Sequence, residues 1–310
     1  RSIMMKNKTI QILLIVFSSI LVYLYLNYQV ESLHIIMQIR LPRLMLAFLV
    51  GFVLSGVGYS FQIMLNNPLA EPYILGISSG AAFGSILASV MGFYLFMPLF
   101  GFAGALITLT IVWFLAHLGG FFNSTKLLLS GIIVGMFFSS LISLLMYFNQ
   151  QDIGNIINVL MGNLGHIFSH TEWYYFLVVF GISILLMFYL FLLSRKLMIL
   201  TTGDIIAGSL GIDVKKLRRK IFIISSLLTG ITVAYAGIIG FIGLIVPHIV
   251  RMISGGNKRT GIIYSSLFGA MLLIFCDLIA MHIAVIEIPV GIITAFLGCP
   301  FFLFIMAKSR

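Results

Sequence analysis

The sequence predicts an all-α, polytopic membrane protein of about ten transmembrane helices, with both termini on the cytoplasmic side. Three observations carry that prediction. First, 61% of the 310 residues are hydrophobic and only 8% are charged, with a mean hydropathy of +1.18. A soluble domain carries roughly 25% charged residues, so this chain cannot cover a water-facing surface. Second, the apolar residues lie in continuous runs without period-2 alternation, and of the two structures that satisfy backbone groups in hydrocarbon this selects helices over a barrel. Third, the basic residues fall almost entirely on one side of the resulting topology.

The elements follow in order. A helix needs about 20 apolar residues to cross a bilayer, and runs of this kind occupy 9–28, 43–65, 75–94, 98–117, 127–148, 172–194, 221–239, 241–254, 262–282 and 289–307. The eighth is short. The natural start is expected at Met4 or Met5, and the first run, lacking a small-residue cleavage site, is read as an uncleaved helix. Pro42, Pro68, Pro72, Pro98, Pro289 and Pro300 sit near run ends, and Pro247 interrupts the seventh–eighth pair. Gly76, Gly80 and Gly84, and Gly131 and Gly135, recur every four residues; such bare faces let helix backbones approach closely. Cys276 and Cys299 lie within apolar runs and are read as small core residues.

Placing the N-terminus inside puts 16 of the 18 Lys and Arg on the cytoplasmic side and only Arg40 and Arg43 outside, as the positive-inside rule requires. The net charge of +10 thus reports cytoplasmic loops, not nucleic-acid binding. The two external arginines flank Pro42 at a helix entrance. They either snorkel to headgroups or offer guanidiniums to carboxylates of an external partner.

Two connections are long enough to hold structure. Residues 149–171 lie outside and contain an amphipathic segment with Ile153, Ile156, Ile157 and Leu160 on one helical face. Residues 195–220 lie inside. There Thr201 or Thr202 is predicted to cap a short helix over 203–210, Gly211 to stop it, and Asp213 to begin a second short basic helix. Two short helices on the cytoplasmic face suggest a docking platform for a protein; a basic loop held by anionic lipid is the alternative.

Several chemistries are excluded. No G-x-x-x-x-G-K-[ST] phosphate loop occurs. The six histidines form no H-x-x-x-H on a membrane-spanning run, and no cofactor or metal is expected in this chain. Ionisable groups are scarce at midplane depth: Asp277 lies within one or two turns of an outer helix end, Glu71 is read in an inner turn and Glu287 in an outer one. An ion-coupled carrier keeps such groups near the midplane, so energy is expected from elsewhere.

Six ordered blocks carry a resemblance over nearly the whole chain: RLPRLMLAFLVGFVLSGVGYSFQ (41–62), NNPLAEPYILGISSGA (66–81), STKLLLSG (124–131), GDIIAGSLGI (203–212), GFIGLIVPHIVRMISGGNKR (240–259) and EIPVGIITAFLGCPFFLFIM (287–306). The chain resembles FecCD-type permeases, importers of iron–siderophore, haem and cobalamin. The resemblance implies a single transmembrane permease domain over 1–310, a type II ABC importer architecture in the inner membrane, and a non-catalytic subunit. Its implied partners are a second permease copy, two ATP-hydrolysing subunits and an external or periplasmic substrate-binding protein. The implied cargo is a metal chelate, with ferric siderophore favoured and haem or cobalamin the alternatives. It further implies docking of the binding protein at Arg40 and Arg43, a cytoplasmic gate at Asn67, Leu69, Asn123 and Ser124, and ATPase coupling through Gly203, Asp204, Ala207, Leu210 and Gly211. One departure is evident. Met281 stands where the family often carries a third external arginine, and the following His282 is the candidate replacement. Outside this family, an ion-coupled secondary carrier or a membrane signalling or assembly protein would also have these gross features.

Overall fold

A computed structural model describes residues 18–27, 32–116, 124–253, 260–284 and 286–308. Among the described residues the regular elements are all helices. Ser18–Asn27 forms α1. Leu33–Ile35 continues through a π-helical turn, Ile36–Arg40, into α2, Leu41–Met64. Then follow α3 (Ile77–Val90), α4 (Met97–Ala116), α5 (Ser124–Phe148), α6 (Ile153–Met161), α7 (His170–Leu192), α8 (Ser194–Leu200), α9 (Asp204–Ser209), α10 (Val214–Ala236), α11 (Ile242–Ile253), α12 (Gly261–His282) and α13 (Val290–Lys308). Six are long and apolar enough to cross a membrane, and α1, α3, α11 and α13 are shorter apolar helices. Together these ten match the ten predicted runs in order. The remaining three, α6, α8 and α9, are short and lie in the two long connections.

The helix α2 is the central pillar. Its small residues allow neighbours to approach at backbone distance: a Cβ on Gly51 would overlap the Gly269 carbonyl of α12, and one on Gly58 would overlap the Gly243 carbonyl of α11. Ser55 Oγ and Ser265 Oγ hydrogen-bond at 2.9 Å across the α2–α12 contact. The glycine face read on α3 is also used for packing. Gly80 lies against Thr108 and Gly84 against the Phe100 carbonyl, both of α4, while Gly76 abuts the Gly131 carbonyl of α5. Cys276 is buried, but Cys299 is exposed on α13 rather than part of the core.

Pro42 does not delay the start of the helix, contrary to the sequence reading of a chain held at an entrance. The helix runs through it, because the preceding π-turn widens the ring of backbone hydrogen bonds where proline has no N–H to give and would crowd the carbonyl four residues back.

The seventh and eighth runs are not two full crossings. Ala234 of α10 packs against Gly101 near the outer end of α4. Residues 237–241 are then non-helical and lead down to Phe241; five residues can span at most about 16 Å. The next helix, α11, begins beside Gly58, about 22 Å along α2 from Arg43. It is therefore a half-helix whose N-terminus is inside the protein body. On the cytoplasmic side the second short basic helix expected at Asp213 does not exist separately. No breaker separates Val214 from Ala236, so the basic residues form the first turns of the 23-residue α10.

Candidate functional site

The outer end of α2 separates the two arginines. Arg43 is 6% exposed. Its Nε and Nη2 donate to the two carboxylate oxygens of Asp277 at 2.9 and 3.0 Å, and its Nη1 donates to Glu287 Oε2 at 2.7 Å. The fully buried Tyr25 hydroxyl donates to Asp277 Oδ2 as well. The expectation that Arg43 is a rim cation for an external partner is thereby corrected. A bidentate pair inside a low-dielectric bundle leaves no guanidinium face to spare, and Arg43 instead ties α1, α2, α12 and the entry to α13 together. Arg40 remains half-exposed; its Nη1 donates to the Tyr25 carbonyl at 3.2 Å and lies 3.7 Å from the Met281 sulfur. His282, half-buried one turn beyond Leu278, has Nδ1 2.8 Å from the Leu278 carbonyl. Arg40, Met281 and His282 thus lie near one another at the outer end of the bundle, with Arg43 beneath.

At the inner end of α2 the chain turns sharply and climbs back. Asn66 adopts φ +48°, and Asn67 Oδ1 accepts from the Leu69 N–H at 2.9 Å, which fixes the turn and leaves the Leu69 side chain 46% exposed. Of the other predicted gate residues, Asn123 lies outside the described residues, and Ser124 is the first residue of α5. Glu71 lies in the inner turn between α2 and α3, as the sequence reading had it, and points into the protein. Its Oε1 accepts the Phe241 N–H at 2.8 Å, at the start of α11, and two residues on the Tyr73 hydroxyl accepts the Ile239 N–H at 3.1 Å. Gly76, at φ +71°, then lets α3 start against α5.

Above this turn, α3 and α5 frame an open groove of about 660 Å³ bearing Tyr73, Ser79, Ser139, Ser140 and Ser143. Ser140 and Ser143 donate to carbonyls four residues back, both at 3.0 Å, so each still presents an oxygen as acceptor. The sequence reading missed these serines. Their signal was the i, i+1, i+4 spacing of 139, 140 and 143, which places hydroxyls on one face of an otherwise apolar helix.

The cytoplasmic platform is built from α8, α9 and the first turns of α10. Thr201 and Thr202 do not cap α9. Their hydroxyls donate back to the Met198 and Ile199 carbonyls, each at 2.7 Å, and so close α8. The N-cap position of α9 is Gly203 at φ +105°, and Gly211 at φ +80° turns the chain after it. Ala207 is fully buried beneath the helix, and Asp204 forms a bidentate pair with Arg218 of α10 at 2.8 Å through both nitrogens. Asp213 caps α10 by accepting the Lys216 N–H at 3.0 Å; that hydrogen bond, with the flanking lysines, holds its carboxyl below the ordinary aspartate range. The outer face of α9 is apolar: Leu210 is 63% exposed, and Ile205, which sequence reasoning did not single out, is 90% exposed. The short helix is thus pinned through Ala207 and Asp204 while it presents isoleucine and leucine to water, an exposed apolar patch.

The external connection forms the predicted helix α6, with Ile156 fully buried and Ile153, Ile157 and Leu160 partly so. A capping box at Ser169 and Glu172 starts α7. His166 lies 3.9 Å from Glu172, and burial holds its imidazole below the usual value against the pull of that carboxylate. Among the described residues no three His, Cys, Asp or Glu side chains converge as a metal-binding group.

The chain is similar to known proteins along most of its length. The permease of the hemin transport system of Yersinia pestis is 36% identical over 286 residues, covering 89% of this chain and 84% of the relative. The Fe(3+) dicitrate transport permease FecD of Escherichia coli is 34% identical over 284 residues, covering 90% and 87%. A metal-chelate type ABC transporter, solved in an inward-facing conformation, superposes with a TM-score of 0.86 at 32% identity over 97% of this chain and 99% of its own. The family profile described as the FecCD transport family matches residues 4–308. With six helices long and apolar enough to cross a membrane and a family match over nearly its whole length, the chain is a multi-pass membrane protein that belongs to the FecCD transport family.

Proposed function

We propose that this chain is the membrane-spanning permease subunit of an ATP-binding-cassette importer for a metal chelate, with a ferric siderophore as cargo. The observation that carries the reading is the apolar knob of α9, held on a cytoplasmic platform with Ile205 90% exposed. Such a knob is costly in water, since burying an isoleucine or leucine is worth about 1.5–3 kcal/mol. It fits a groove on an ATP-hydrolysing subunit, and movement there is transmitted through Asp204 and Arg218 into α10. The serine-bearing groove between α3 and α5 is open on one side. A second copy of the chain closes it into a path, with the two exposed Leu69 side chains as the cytoplasmic barrier. A path of hydroxyls and apolar walls suits a bulky chelate whose own ligands already satisfy its metal. At the outer face Arg40, assisted by His282, receives a carboxylate of an external binding protein.

The test is reconstitution in liposomes with the ATPase subunits and the binding protein, offered a radioiron-loaded hydroxamate siderophore, haem and cobalamin in turn. ATP-dependent accumulation of the siderophore is the expected result. Accumulation of haem or cobalamin instead moves the cargo, and uptake driven by an ion gradient without nucleotide moves the chain to the secondary carriers. Ile205→Asp and Leu210→Asp are expected to abolish co-purification of the ATPase while the permease still folds.

A further inference from the structure

Glu71 is a carboxylate in the body of the protein that neither packing nor the importer reading uses. It sits on the re-entrant turn between α2 and α3, two residues after Leu69, and its Oε1 accepts the backbone N–H of Phe241 at 2.8 Å. Phe241 immediately precedes α11, so the carboxylate faces the positive end of that half-helix, where unpaired N–H groups concentrate and an anion is favoured. Two further contacts join the same turn to the same junction. The Tyr73 hydroxyl accepts the Ile239 N–H at 3.1 Å, and the Pro72 ring lies against Gly243. Phe241 itself holds φ +70°, a conformation that L side chains disfavour, and its ring rests on Gly298 of α13. A residue keeps such a backbone only where its surroundings over-determine it. Here the determinants are the Glu71 carboxylate on one side and α13 on the other.

The turn has other attachments. Its first residues hold Leu69 and its last, Gly76, abuts Gly131 on the groove-bearing α5. One short segment therefore touches the inner barrier, the serine-lined groove and the start of the half-helix.

We propose that Glu71 is a positioning residue of the transport cycle: its carboxylate clamps the barrier turn to the N-terminus of α11, so that the two move as one body. Loss of the clamp lets the half-helix shift without carrying Leu69 with it, and ATP turnover then no longer moves the barrier. This rests on the importer reading above.

The experiment uses the reconstituted importer with the radioiron-loaded hydroxamate siderophore, and reads chelate delivered per ATP hydrolysed together with amide hydrogen exchange over 238–244. In Glu71→Ala the delivered ratio is expected to fall about tenfold while ATPase assembly is retained, and the Phe241 amide is expected to lose protection. Glu71→Gln keeps an oxygen acceptor and should rescue most of the ratio; Tyr73→Phe should lower it about threefold. An assembled Glu71→Ala importer that couples as the parent does overturns the proposal. Should that variant not assemble, unchanged coupling and exchange in Tyr73→Phe overturn it instead. If the parent protein shows no ATP-driven uptake, the importer reading falls on its own, and the clamp is then decided by exchange: an unaltered Phe241 amide in Glu71→Ala refutes it.

Discussion

The helices α2 and α7 are nearly the same length, 24 and 23 residues, and both are overwhelmingly apolar. Yet 83% of the most apolar stretch of the Leu33–Met64 helix is buried in the protein, against 22% for His170–Leu192. Hydropathy does not distinguish them, because lipid tails are as apolar as leucine. Small residues do. The α2 helix carries Gly51, Ser55, Gly56, Gly58 and Ser60, all but inaccessible, whereas nothing lies within 4 Å of where a Cβ on Gly181 of α7 would stand. The pillar of the bundle is the helix that can be approached on all sides, and the outer helix is the one whose bulk faces lipid.

Charge follows the same division. The pillar ends in a buried ion cluster, and the outer helix begins with an exposed capping box. Arg43→Ala should therefore be the most damaging truncation here. It strands Asp277 in the protein interior at a cost of about 3–5 kcal/mol, seen as lost yield and a lower Tm in detergent. A Tm unchanged from the parent would mean that Arg40 has moved in to replace it, and that the pillar is less committed than its contacts imply.

Gly58→Ala should come next. The new methyl overlaps the Gly243 carbonyl, and overpacking of this kind costs about 1–3 kcal/mol. Gly181→Ala is the control, expected within about 0.5 kcal/mol of the parent or slightly stabilising. Equal effects at the two glycines would erase the contrast between pillar and outer helix. Smaller than the effect at Gly58 is that of Ser169→Ala at the start of α7. It removes one cap, about 1 kcal/mol, and hydrogen exchange should show only the first turn of α7 opening.

The smallest expected effect on stability is Arg40→Glu. It should leave Tm nearly unchanged but weaken binding-protein association and flatten its salt dependence. Arg43→Glu, by contrast, should fail at folding. If both reversals leave Tm unchanged, the buried cluster does not hold the fold; if Arg40→Glu leaves association unchanged, that arginine is a membrane anchor only.

These contrasts also mark what the sequence could and could not disclose. The ten runs were legible because each holds enough consecutive apolar residues, and the side of each loop because 16 cations share one face. A break was legible near Gly240, where the seventh run ends and the short eighth begins, but its depth was not. Residues GIIGF are as apolar as the helices on either side, so nothing in periodicity shows that the whole of 237–241 is non-helical and that α11 begins at depth. Arg40 and Arg43 looked alike because they are three residues apart and nominally both at an entrance. Only a continuous helix through Pro42 turns one inward and leaves the other half-exposed. Their partners were visible as Asp277 and Glu287, each already read near an outer end, but a pairing across more than 230 residues is a fact of packing, not of local sequence. In the platform, Gly211 was legible as a stop signal, whereas Ile205 stood out only once Ala207 was seen to define the buried side.

The ion cluster has a consequence for the order in which the protein is made. Arg43 and Asp277 are 234 residues apart in the chain. At about 5–20 residues per second, a ribosome needs roughly 12–47 s to reach the second after the first. Through that interval the newly inserted arginine has no carboxylate from α12 or α13 and must rest its head among lipid phosphates, its stem lying along the membrane boundary. The N-terminal helices thus enter the bilayer loosely oriented, and α12 arrives with the counterion that draws the arginine inward and sets their final height.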